Sequence, residues 1–169
     1  QTSGTVNPNV EELNKISYSA KNTQGFESTV VREVYVQANN INVSAEDISG
    51  TYTSNISRSS GGSTTSRGPF EVTVTKVVDG YGLFAISDFL GGWYQYGSGY
   101  GSAYAGSGSF VLTGNNEIEV FTSSLEGWED TISLFDTSTY DPATKTIVIK
   151  SIMDSSSSMH FTVTMVWKD

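Results

Sequence analysis

The chain has no cysteine, one histidine, three prolines and only nine lysines and arginines among its 169 residues. Each scarcity excludes something. Without cysteine there are neither disulfides nor thiolate metal sites, so the fold must rest on its hydrophobic core. A single histidine leaves a zinc site short of nitrogen ligands. Eighteen acidic residues against nine basic ones give a net charge of −9. That balance argues against nucleic acid and against an anionic membrane surface, because both need clustered Lys and Arg. No apolar run approaches the roughly 20 residues of a transmembrane helix. No signal peptide heads the chain, so an exported protein is expected to have lost it by processing, along with any lipid-anchor cysteine.

Charged residues make up 16% of the sequence, below the usual share of about 25%. Ser, Thr, Gly, Asn and Tyr take their place, as they do in extracellular β proteins. The length allows one ordinary domain, or one domain plus a piece of another. Residues 16–20 and 30–36 alternate as strands do, joined by a turn at Asn22 and Gly25. Residues 39–48 read as a polar linker without a sustained period. From residue 49 to 169 about eight strands follow, separated by turn signals every 8–12 residues. Val72 and Val74 face away from Glu71 and Thr73, and Asp79-Gly80 is a hairpin turn. Residues 59–68 form a Ser/Gly/Thr stretch expected to be a mobile loop. The clearest strand is the last, where Phe161, Val163 and Met165 oppose Thr162 and Thr164. This spacing predicts an all-β, antiparallel up-and-down barrel, lipocalin-like, with a β-sandwich as the alternative.

Between two of these strands, residues 88–108 carry Trp93, Tyr94, Tyr96, Tyr100 and Tyr104 among closely spaced glycines. The glycines exclude a helix and disfavour a regular central strand, leaving a long irregular loop. Its rings offer flat apolar faces with polar tips, suited to sugar rings or to a partner protein. They suit equally well a plug for one end of the barrel. Both can hold in one loop, with Trp93 inside and Tyr96 or Tyr100 outside. The candidate ligand-binding residues are therefore Asp88, Trp93, Tyr94, Tyr96, Tyr100 and Tyr104, with Trp128 as a neighbour.

No catalytic signature emerges. His160 lies on the Thr-bearing face of a strand, with no Ser or Asp tied to it by a motif. Glu126, Glu129, Asp130 and Asp136 gather around Trp128, and a glycosidase would need two such carboxylates facing each other. Loop acids are far commoner on surfaces than in catalytic pairs. The expectation is a non-enzymatic monomer with no cofactor and no metal.

Two stretches resemble known families. Tyr18, Asn22, Gly25, Arg32, Val34 and Val36, spaced Y-x3-N-x2-G-x6-R-x-V-x-V, resemble the last hairpin of bacterial Ig-like repeats, which mostly act as spacers. That assigns residues 1–38 to the C-terminal part of an Ig-like domain. The segments GTY at 50–52, SDFLGGWY at 87–94, Tyr100-Gly101 and YDPATKTI at 140–147 resemble a β domain of surface lipoproteins from gut Bacteroides-type bacteria. The resemblance implies a secreted or outer-membrane, lipid-anchored location and implies sugar handling by association only. No functional residue carries over from it. The expected function is a surface module that binds glycan or protein through the loop. A structural spacer is the alternative.

Overall fold

The computed structural model describes residues 2–7, 12–36 and 42–168. The chain divides into two compact units, Gln1–Ile41 and Asn42–Asp169. The first is a three-stranded antiparallel sheet of β1 (Thr2–Ser3), β2 (Glu12–Lys21) and β3 (Glu27–Val36), in that order. Its hairpin turns at Asn22, whose side-chain oxygen accepts from the amides of Gln24 and Phe26. Gly25 supplies the positive φ that such a turn requires.

The second unit contains β4 (Gly50–Ser60), β5 (Ser63–Val78), β6 (Leu83–Ile86), β7 (Ser107–Leu112), β8 (Glu117–Ser124), β9 (Ile132–Leu134), β10 (Ser138–Asp141), β11 (Thr146–Met153) and β12 (Ser156–Trp167). All except β9 follow one another around a closed ring, and β9 flanks β11. The first and last strands meet, Ile56 opposite Val163 and Thr53 opposite Val166, and β10 bonds to both β8 and β11. A closed antiparallel barrel leaves no place for the sandwich alternative.

Period-two alternation fills the barrel. Tyr52 and Ile56 on β4, Val72 and Val74 on β5, Ile147 and Ile149 on β11, and Phe161, Val163 and Met165 on β12 all point inward and are buried. Phe84 and Phe110 pack ring to ring at 5.8 Å between neighbouring strands. Eight strands enclose a space just wide enough for side chains to fill, and here large ones occupy it. The likeness to lipocalins therefore lies in the strand path, while the interior is a packed core.

Three expectations change in detail. Residues 59–68 belong almost wholly to β4 and β5 and turn only at Gly61 and Gly62, both with positive φ. That pair is a tight hairpin turn, and its polar strands extend the ribbon beyond the apolar core, which is why they lack an apolar period. The turn that opens with Asp79-Gly80 takes four residues, 79–82, instead of two, so β6 begins at Leu83. Of the supposed linker, residues 39–41 lie outside the described residues and 42–48 form part of the barrel unit. Ser44 donates to the Leu112 carbonyl, and Ile48 is fully buried.

Because consecutive strands run up and down, the connections sort to two ends. The strap of residues 42–49 lies at one end, where β4 begins and β12 finishes. Residues 88–106, joining β6 to β7, lie at the other.

Candidate functional site

The 88–106 loop is built from its base upward. Asp88 is fully buried and its carboxylate accepts three backbone amides, those of Leu90 at 2.8 Å, Gly92 at 2.9 Å and Gly106 at 2.9 Å. Phe89 N donates to the Gly106 carbonyl at 2.7 Å, so both feet of the loop are fastened together. Burial pushes the Asp88 carboxyl up to about 6, against the opposing pull of those three amides. Asp88 therefore organises the loop and presents nothing to a ligand.

Above this base the chain turns sharply through Gly91 and Gly92, both at positive φ. A Cβ on Gly92 would stand 2.9 Å from both the Phe70 and Tyr96 side chains. Only glycine lets those two rings approach, and they sit 5.8 Å apart. Trp93 then points into the barrel and is 0% exposed. Its ring meets Phe161 edge-on at 5.8 Å, and the guanidinium groups of Arg58 and Arg67 lie 4.7 and 4.4 Å from its centre. Arg67 also donates to the Trp93 carbonyl and to Ser98 Oγ, tying the loop to β5. Tyr94 is likewise buried, and burial raises its hydroxyl pKa against a hydrogen bond with Arg58.

As contact residues, then, Asp88, Trp93 and Tyr94 are corrected: their side chains close the barrel from within. The remaining rings face out. Tyr96 is 52% exposed, Tyr100 55% and Trp128 39%, with Tyr104 half-buried between them. Trp128 stands on the short turn Glu126–Trp128 that follows β8. It meets Tyr94 at 4.5 Å and Tyr104 at 4.9 Å, both edge-on, while Tyr100 packs on Tyr104 at 5.3 Å. The sequence-predicted rings thus form one continuous cluster with a buried root and an open crown. Tyr96 stands apart from the crown, over Phe70.

Beneath Tyr96 the loop overhangs the outer wall of the barrel and leaves a groove of about 750 Å³. Thr73 and Ser87 line its wall side, and Gln95, Tyr96, Ser102 and Glu126 line its loop side. Gln95 and Ser102 were not singled out by the sequence, and Glu126, read there as one of the acids around Trp128, lines this groove instead of facing a second carboxylate. Residues 71 and 73 were readable as outward-facing, but nothing local announced that the loop would fold back over them.

The other sequence candidates are engaged elsewhere. Asp136 pairs with Lys150 at 2.7 Å. Asp130 accepts from the amides of Thr131 and Ser155. His160 stacks on Phe135 at 4.3 Å. Among the described residues no cluster of three or more metal-ligating side chains occurs, and no helix is long and apolar enough to cross a membrane.

Residues 40–166 match a family model described as a "-like, C-terminal domain". Among solved structures the chain is similar to the lipoprotein BT2262 from Bacteroides thetaiotaomicron, at 32% identity and a TM-score of 0.65. The match covers 98% of this chain and 80% of that one. No curated protein matches the sequence.

Proposed function

We propose that this chain, which belongs to the family of the Bacteroides thetaiotaomicron lipoprotein BT2262, is a non-catalytic, lipid-anchored surface module that binds glycan through the 88–106 loop. The observation that carries this reading is the open crown of rings. Tyr100 is exposed although the same loop buries Trp93 completely, and Trp128, from the turn after β8, is exposed beside it. A ring held by edge-on neighbours and by a fastened backbone has little freedom left to lose on binding, which favours contact with a flat, hydroxyl-rimmed sugar. Of the four acids near Trp128, Asp130 and Asp136 already serve structural partners, which takes those two out of any catalytic pair. In this reading the N-terminal sheet is the closing hairpin of an Ig-like spacer, and the module works as a monomer.

A glycan array on the wild type and on a Tyr100→Ala/Trp128→Ala variant tests the proposal. Retention of wild-type signal by the variant, or no glycan signal from either protein, would overturn it. The packed barrel interior favours a second reading, a spacer that holds a partner domain away from the membrane. Absence of binding to any glycan together with an unaltered fold would support that reading instead.

A further inference from the structure

The groove under Tyr96 carries an inference that rests on the glycan reading and makes it specific. We infer that this groove is a subsite for a neutral oligosaccharide, with Tyr96 as the stacking platform and Gln95, Ser102 and Glu126 as its hydrogen-bonding rim.

Size comes first. Pockets that hold small ligands span about 300–1,000 Å³, and the groove's volume of about 750 Å³ falls inside that range. Chemistry comes second. The lining mixes hydroxyl, amide and carboxylate groups with one aromatic ring and small residues such as Ala103 and Ala105. Among the described residues, Gln95, Ser102 and Glu126 direct no side-chain hydrogen bond to the protein itself, so their donors and acceptors are available. A sugar offers hydroxyls to such a rim and an apolar C–H face to the ring. A protein interface is built around several aromatic or arginine anchors in a desolvated centre, whereas this lining has the single ring of Tyr96 among small and polar residues.

Charge fixes the class. Glu71 and Glu126 both line the groove, and no arginine or lysine does. Lys168 lies in an adjoining depression that also contains Tyr96 and Glu71, and it is held by Glu71 at 2.6 Å. Lys168 offsets Glu71, but among the described residues Glu126 has no cationic partner, and with a chain net charge of −9 a uronic-acid or sulfated polymer would meet net like charge there. Rigidity is the last support. Phe70 backs Tyr96, and the Tyr96 amide is bonded to Gly92 O at 3.0 Å, so the platform is in place before any ligand arrives.

The test is affinity electrophoresis of the whole chain in gels containing dextran, galactomannan or xylan as neutral probes and polygalacturonate or chondroitin sulfate as anionic ones. At least one neutral probe should retard the wild type and neither anionic probe should. Tyr96→Ala should weaken that retardation at least tenfold, whereas Tyr96→Phe should keep it, since the ring rather than the hydroxyl makes the stack. Tyr96 is exposed, and equal melting temperatures will show that the variants fold. Neutral binding that survives Tyr96→Ala but is lost in Tyr100→Ala/Trp128→Ala would overturn the groove and leave glycan binding standing. Retardation by anionic probes alone would do the same. No retardation by any probe would overturn both.

Discussion

The two ends of the barrel solve one problem with different surpluses. At the strap end Ile48 is the plug, and the tyrosines around it point their hydroxyls at partners. Tyr52 donates to the Ile48 carbonyl at 2.7 Å and Tyr140 to Glu46 at 2.9 Å. Lys76 bridges Asp47 and Asp79 across the same end. At the loop end Trp93 is the plug, yet Tyr96, Tyr100 and Trp128 remain uncovered around it. Closing a barrel does not require those extra rings, because the strap end manages without them. The difference separates what the fold needs from what the loop adds.

The largest expected break is at the two plugs. Trp93→Ala removes a fully buried ring and should cost about 3–5 kcal/mol of stability. Ile48→Ala should cost somewhat less, about 2–4 kcal/mol, since it deletes fewer buried atoms. Urea denaturation of both variants measures this. A loss below about 1 kcal/mol at Trp93 would mean that the loop is not a structural closure.

A smaller effect distinguishes the ends by pH. The Asp88 carboxyl titrates at about 6 in the fold, against 3.8 for an unperturbed group. Between those values the native state keeps a proton that the unfolded chain has released. The contribution of Asp88 is therefore fully present below pH 3.8 and is lost as pH rises toward and past 6, by on the order of 3 kcal/mol. At the strap end the sign is opposite. The hydrogen bond from Lys76 lowers Asp47 to about 2, so its contribution is present above about pH 4 and lost in stronger acid. Denaturation midpoints between pH 4 and 6.5 should thus decline in the wild type, and Asp88→Asn should remove that decline. A slope unchanged in Asp88→Asn would assign it to another group.

The smallest effect is the most discriminating. Tyr96→Ala and Tyr100→Ala should each change stability by no more than about 0.5 kcal/mol, as exposed substitutions usually do. Thermal melts that match wild type, beside altered glycan retardation, would confirm that these rings are surplus to folding. A large loss of stability would instead make them part of the plug.

How much of this was readable from sequence follows physical range. Alternation at Phe161, Val163 and Met165 depends only on neighbours two residues apart, and it located the barrel wall. The polar ribbon at residues 59–68 reads as a loop because it carries no apolar period, and it meets the core through a charged residue, Arg67 over Trp93. The strap hid for a related reason: Val43 and Ile48 are isolated apolar residues whose partners lie far along the chain. Within the loop, composition could not sort inside from outside, since both halves carry tyrosine and glycine. The sorting is done by Asp88 fastening Gly92 to Gly106 and by the positive φ at Gly91 and Gly92. Those are three-dimensional facts about feet that meet across 18 residues.

A barrel without a hollow divides its obligations cleanly. The inward-facing residues answer to packing, while the exposed side chains of the loop, such as Tyr96 and Tyr100, can change without unsettling them. Relatives that keep one third of their residues in common, as this chain and BT2262 do, can conserve the wall and exchange the overhang. Such surface changes carry no debt to the core.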